Sequence, residues 1–257
     1  MPRHVRIIGA SLFCPAGIGI FGLGPASPGA VPGFDPIACG VPRKHLKTMT
    51  RAVQLGVAGV NAALAVAPGW AEIRPERRGL FVGASPQAGD AEDLAAALAA
   101  AGGDPGRFAR EGVSLIPPLW LVKGLSNNVL GYASAQHDLR GDNGNWCDGQ
   151  LGGAIALAQA VHAIAEGRVD LAIAGGADAL LGAESVVGGP CAEGAAFIVL
   201  VAGERGDAVV TAGIPSEDGV EEGFGALGAA AVPVAWVRSW LTDRRADVGG
   251  VRGAWSS

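Results

Sequence analysis

The chain has 257 residues, a formal net charge of −5, 49% apolar and only 17% charged residues. That length supports one compact unit built from related layers, and the acidic balance, with no basic run interleaved with aromatics, excludes a general nucleic-acid binder. So little polar surface for a solitary monomer points to a partner interface, although alanine-rich helices and glycine-rich turns raise the same figure.

Cys14, Cys39, Cys147 and Cys191 are widely spaced, with no Cys-x-x-Cys pair and no histidine at ligand spacing. Neither a metal site nor a disulfide framework is expected, and a cytoplasmic chain fits best. The opening Val5-Arg6-Ile7-Ile8-Gly9-Ala10 reads as a buried strand and not as a secretory segment. No apolar run reaches the roughly 18 unbroken residues of a membrane span.

In chain order, Gly and Pro make residues 14–42 mostly loop, and residues 44–66 are expected to form one long helix carrying Leu46, Met49, Val53, Leu55, Val57, Val60 and Leu64. Gly79-Leu80-Phe81-Val82-Gly83 is a short strand. Residues 90–101 form a helix with Asp90 or Glu92 near its positive end, stopped by Gly102-Gly103. Residues 126–136 predict a helix capped by Ser126. Residues 150–165 predict another, with Leu151, Ala154, Ile155, Ala158, Val161 and Ile164 near one face, ended by Gly167. Residues 169–174, closed by Gly175-Gly176, and residues 195–201 are apolar strands, so the order strand, helix, strand predicts a layered α/β protein with a buried sheet. Residues 211–222 read as turns, residues 228–245 as a helix with Pro233 in its first turn, and residues 247–257 as a frayed tail.

The segment Gly144-Asn145-Trp146-Cys147-Asp148-Gly149-Gln150-Leu151-Gly152-Gly153-Ala154, continued by Gly167-Arg168-Val169-Asp170-Leu171-Ala172-Ile173-Ala174-Gly175-Gly176, resembles the nucleophile-elbow region of β-ketoacyl synthases. In that family a cysteine sits at a tight strand-to-helix turn, where the helix N-terminus stabilises its thiolate. Counting back from Gly167 and Gly175-Gly176 puts that position at Gln150, with Cys147 three residues too early. A carboxamide cannot form the acyl thioester, and Gln followed by small residues resembles the chain length factors of type II polyketide synthases and the decarboxylating loading synthases. Val5-Arg6-Ile7-Ile8-Gly9-Ala10 with Cys14-Pro15-Ala16-Gly17, Arg78-Gly79-Leu80-Phe81-Val82-Gly83, Leu125-Ser126-Asn127-Asn128-Val129 and Asp138-Leu139-Arg140-Gly141 extend the resemblance over about residues 5–201.

The resemblance implies a second half supplying two catalytic histidines and a lysine, but no histidine follows His162. Phe224-Gly225-Ala226-Leu227-Gly228-Ala229-Ala230 resembles the Gly-His-x-x-Gly-Ala-Ala motif with Gly225 at the histidine position.

Each sharp reading has a bland competitor. Gln150 is either a functional replacement or an ordinary polar helix start. Cys147 is the alternative nucleophile, while His137 and His162 default to structural or surface roles. Gly17-x-Gly19-x-x-Gly22 with Asp35 matches a dinucleotide fingerprint literally, but it does not open a helix, so no cofactor is expected. Leu115, Ile116, Leu119 and Trp120, together with Gln150 and Leu151, are the candidate acyl-tunnel or interface residues, against simple core packing. Trp236 and Trp240 are expected as core or interface anchors.

The fold expected is a thiolase-like N-terminal half, with a mixed five-stranded sheet, helices on both faces and a degenerate C-terminal remnant. Residues 1–205 would form the synthase-like domain and residues 206–257 the shortened remnant and tail. The function expected is a non-catalytic, chain-length-factor-like subunit of the kind found in aryl polyene and related pathways. It would pair with a full-length β-ketoacyl-acyl carrier protein synthase, complete its acyl tunnel and meet acyl carrier protein through that partner. The alternatives are a stand-alone malonyl-carrier-protein decarboxylase or acyltransferase acting through Gln150 or Cys147, and a homodimeric acyl-binding protein.

Overall fold

A computed structural model of the chain describes residues 3–19, 23–85, 92–203, 209–216, 218–220, 222–243 and 245–254. Strand β1 (His4–Cys14) is longer than the apolar run alone suggests and turns through Pro15-Ala16 into the two-residue β2 (Gly17–Ile18). The helix expected over 44–66 is two elements, a 3-10 turn (Arg43–Thr48) and α1 (Arg51–Ala65). Met49 and Thr50 between them are extended, and Thr50 caps α1 by accepting the Val53 amide at 3.4 Å.

Strand β3 (Arg78–Ala84) is buried throughout. Helix α2 (Glu92–Ala101) ends at the left-handed Gly102 and Gly103, and its expected start at Asp90 lies outside the described residues. Short turns α3 (Pro105–Arg107) and α4 (Trp120–Lys123) lead to α5 (Asn128–His137). Ser126 does not cap α5: Asn127 holds the cap position without a side-chain bond, and Asn128 Nδ2 donates to the Val122 carbonyl at 2.7 Å. Strand β4 (Asn143–Trp146), helix α6 (Gly149–Ala165), strand β5 (Leu171–Ala179), the turn α7 (Glu184–Val187) and strand β6 (Glu193–Gly203) complete the main layer.

The sheet runs β2-β1-β6-β5-β3-β4, with β3 parallel to β4 and β5 and with β6 antiparallel to β5 and β1. It has six strands where five were expected, because β2 adds a short pairing to Phe13 and Cys14. Alternation along β5 sends Leu171 and Ile173 into the core shared with α1, and Ala172 and Ala174 into the core shared with α6. Gly175-Gly176 do not close β5, which runs on to Ala179. They are interior positions over which Phe197 and the Ala229 backbone lie too close for any Cβ.

Residues 247–254 of the expected frayed tail are ordered, and 255–257 lie outside the described residues. Strand β7 (Val209–Ala212), helix α8 (Ala231–Asp243) and the hairpin β8 (Arg245–Val248) and β9 (Val251–Ala254) form a second layer, a three-stranded sheet ordered β7-β9-β8. Trp236 and Trp240 stack at 5.4 Å over Gly253, and Trp236 Nε1 donates to the Val251 carbonyl at 3.0 Å. Ala246, Val248 and Val251 face α8, while Arg245, Asp247 and Arg252 face outward.

The loop before α1 is tied to β6 by Glu193, which is 1% exposed and accepts from the Val31 amide at 2.9 Å and from Arg51 at 2.6 and 2.9 Å. Removing one member of a buried pair strands the other, and the half-exposed Arg51 softens that loss. Glu193→Ala is expected to lower unfolding free energy by about 2 kcal/mol, read as a reduced urea midpoint with unchanged slope.

Candidate functional site

Parallel strands β3, β4 and β5 deliver their carboxyl ends to one rim, where α/β sheets place their sites. Strand β4 ends at Trp146, Cys147 and Asp148 form the connection, and α6 opens at Gly149, whose φ of 50° is left-handed and suits glycine. Gln150 is the second residue of α6 and half-buried, as is Leu151, whereas Gly152, Gly153 and Ala154 are buried.

Small residues are required here by direct backbone approach. A Cβ on Gly83 of β3 would lie 2.6 Å from Gly153 Cα, one on Gly152 would lie 2.7 Å from the Trp146 carbonyl oxygen, and one on Gly153 would lie 2.7 Å from Pro233 Cγ. Helix α6 therefore seats against β3, β4 and the turn that precedes α8, with Trp146 stacked on Phe81 at 6.3 Å.

Cys147 lies within the connection itself, exposed, with Sγ accepting from Asn145 Nδ2 at 3.3 Å. The remaining thiols are elsewhere: burial pushes Cys14, Cys39 and Cys191 above the ordinary thiol value. No histidine faces the elbow among the described residues. His162 sits in the last turn of α6, about 18 Å from Gln150 by helical rise. His137 is bound to Asn61 at 2.7 Å and packed on Trp70, and burial lowers its pKa. Gly225 has a left-handed φ of 72°, and a Cβ there would lie 2.9 Å from the Pro190 carbonyl carbon, so the position rejects a side chain.

The proposed tunnel residues fall into two groups. Gln150 and Leu151 are in the seat just described. Leu115, Ile116, Leu119 and Trp120 belong to a segment packed on α2 and on the 43–48 turn, where Val113, Leu115, Leu119, Leu121, Val122 and Leu125 are exposed. In the Gly17-x-Gly19 stretch Gly22 lies outside the described residues, and residues 17–19 belong to β2 and its exit, not to a helix start.

One functional candidate escaped the sequence. Asp178, 2% exposed at the end of β5, accepts from the Ala229 amide at 3.1 Å, from the Ala179 amide at 2.9 Å and from the Ser85 hydroxyl. Burial raises its pKa. The available signal was a carboxylate one residue past the apolar run Ala174-Gly175-Gly176-Ala177.

This layered arrangement, with a strand-to-helix elbow at the rim of a mixed sheet, is a thiolase-like fold. Residues 25–197 match the family model described as beta-ketoacyl synthase, N-terminal domain, and the chain belongs to that family. Among solved structures it is similar to a type II polyketide synthase acyl-carrier protein in complex with its ketosynthase bound to the hexaketide (18% identity, TM-score 0.66, 79% of this chain and 64% of that one). It is also similar to the ishigamide ketosynthase/chain length factor (22%, 0.57, 84% and 69%) and to a beta-ketoacyl synthase from Burkholderia phymatum STM815 (21%, 0.65, 85% and 65%). The chain thus spans 64–69% of the length of these three neighbours. No curated protein matches it.

Thiol reagents are expected to label Cys147 first, Cys39 more slowly, and the buried Cys14 and Cys191 only on unfolding. Peptide mass spectrometry after timed alkylation reads the order.

Proposed function

We propose that the chain is a non-catalytic, chain-length-factor-like subunit that pairs with an elongating β-ketoacyl-acyl carrier protein synthase and completes its acyl tunnel in polyketide, aryl polyene or related biosynthesis. One observation carries this. The elbow that would present a nucleophile presents a carboxamide at Gln150, and no described imidazole stands near enough to activate any group there. A Gln side chain can hold hydrogen bonds across a pocket but cannot be acylated as a thioester.

The surface supports a partner. Leu115, Leu119, Leu121 (69% exposed), Val122 and Leu125 lie on the connection from β3 to β4, and Leu181, Val186 and Val187 on the one after β5. Among the described residues the buried Trp120 Nε1 in the first of these segments has no hydrogen-bond partner, at a cost of about 1–3 kcal/mol. That is the state expected of a segment whose packing another chain completes. Strand β4 pairs only with β3 among the described residues, leaving an edge for strand addition.

A carrier contact has support within this chain as well. Arg43, Lys44 and Lys47 are exposed on one 3-10 turn, have no carboxylate partner among the described residues, and flank a cleft of about 560 Å³. In a chain of net charge −5 this basic run suits an acidic carrier surface.

Malonyl-carrier protein incubated with the chain alone is expected to lose no carbon dioxide and to leave no adduct on Gln150 or Cys147, by intact mass. Either product would instead establish the stand-alone enzyme. Co-expression with an elongating β-ketoacyl-acyl carrier protein synthase of the proposed pathway should give a heterodimer, and Leu119→Asp with Leu121→Asp should weaken that pairing at least tenfold, about 1.4 kcal/mol. Gln150→Cys should alkylate readily yet give no condensation alone.

A further inference from the structure

The buried carboxylate of Asp178 is used by nothing described so far. It stands where three pieces of chain meet: the end of β3 at Ser85, the end of β5, and the Gly228-Ala229-Ala230 turn that leads into α8. Its Oδ2 takes the Ala229 amide at 3.1 Å together with the Ser85 hydroxyl, and its Oδ1 takes the Ala179 amide at 2.9 Å. Among the described residues no charged group acts on it, so its ionised form is held only by dipoles. Those dipoles include an amide of the 3-10 turn Gly228–Ala230, which runs directly into the 13-residue α8.

The residue it holds is the one α6 leans on. A Cβ on Gly176 would lie 3.0 Å from the Ala229 carbonyl carbon, and one on Gly152 would lie 3.7 Å from Ala229 Cβ. Gly228 is left-handed at φ 50°, and a Cβ there would strike the Asp178 carboxylate, so the turn has no room to shift toward β5. Pro233, one turn into α8, closes on Gly153 from the same side.

We infer that Asp178 is a positioning residue for the elbow: its carboxylate ties the turn before α8 to the rims of β3 and β5 and, through Ala229, fixes the depth at which the first turn of α6, with Gln150, is seated. The elbow is then set jointly by the N-terminal layers and the C-terminal segment, and residues 222–243 have a role that a vestigial appendage would lack. This holds whichever chemistry or partner the elbow serves.

Hydrogen exchange by mass spectrometry on the whole chain, comparing the unsubstituted protein with Asp178→Asn and Ser85→Ala, tests it without a partner. Asp178→Asn should accelerate exchange of amides 149–153 and 228–231 about tenfold and leave α1 (51–65) unchanged, as expected of local opening. Ser85→Ala, which keeps the carboxylate and removes one donor, should give about a threefold effect in the same two segments. Equal acceleration in α1 would reduce Asp178 to a general stability residue, and no change at 149–153 in a folded variant would sink the inference. If Asp178→Asn does not fold, Ser85→Ala decides alone by the same criterion. A pH series adds a second readout. Because burial raises the Asp178 pKa, the folded state holds its proton more tightly than the unfolded chain. Its contribution is therefore full below the ordinary carboxylate value of 3.8 and is lost as pH rises through the raised folded value. Measured stability of the unsubstituted protein relative to Asp178→Asn should fall over that window, and a flat difference would mean the carboxylate is not buried as described. Loss of partner binding in these variants would connect the tie to the proposed pairing, whereas a chain that binds no synthase at all would leave the exchange pattern standing.

Discussion

The structure depends on backbone meeting backbone at the seat of α6. Helix α6 lies against β3 with Gly83 facing Gly152 and Gly153, and from the other side the Ala229 turn and Pro233 close on the same glycines. At such distances no side chain fits, so dispersion between main-chain atoms replaces side-chain interdigitation. Everything on either side inherits that spacing. The six-stranded sheet, the α6 and α8 layer and the small sheet beyond it form one stack because their junction has no slack.

That junction explains how the elbow holds its shape whatever residue stands at its second position. A strand-to-helix turn is held by Gly149, by the glycines behind it and by Trp146 on Phe81, none of which depends on the identity of residue 150. A thiolate at Gln150 would have the helix N-terminus in its favour, but the amide there is neutral and draws little from that field. Asp178 is buried with no cation beside it among the described residues, and that burial lowers the stability of its ionised form and raises its pKa; it is tolerated because three donors converge on it.

Finished and unfinished surfaces are distinguishable by alternation. The small C-terminal sheet turns Ala246, Val248 and Val251 inward and Arg245, Asp247 and Arg252 outward, with Arg252 paired to Asp247 at 3.0 Å. That is a face adapted to water. The connections at the strand carboxyl ends do the reverse: Leu121 and Val186 are 69% and 87% exposed, and the buried N–H of Trp120 has no partner among the described residues. One face is thus adapted to water and the other leaves apolar side chains exposed, the asymmetry on which the proposed pairing rests.

Local sequence determined much of this. The apolar runs at 79–83, 169–174 and 195–201 were legible as strands and the 150–165 run as a helix, because burial on both faces forces continuous apolar stretches and because Gly167 ends a helix on its own. That Gln150 stands at the start of that helix was legible too. Tertiary structure decided the rest. Gly175 and Gly176 looked like a strand's end and are its middle, since only contact with Phe197 and Ala229 shows why glycine is needed there. The terminal Gly-rich stretch looked frayed and is a hairpin, because its register is fixed by Trp236 and Trp240 from a different element. Asp178 showed in sequence only as a carboxylate after an apolar run, for the same reason: its role is set by the donors that surround it, and Ser85 and Ala229 are distant along the chain and adjacent to it only once the layers have closed.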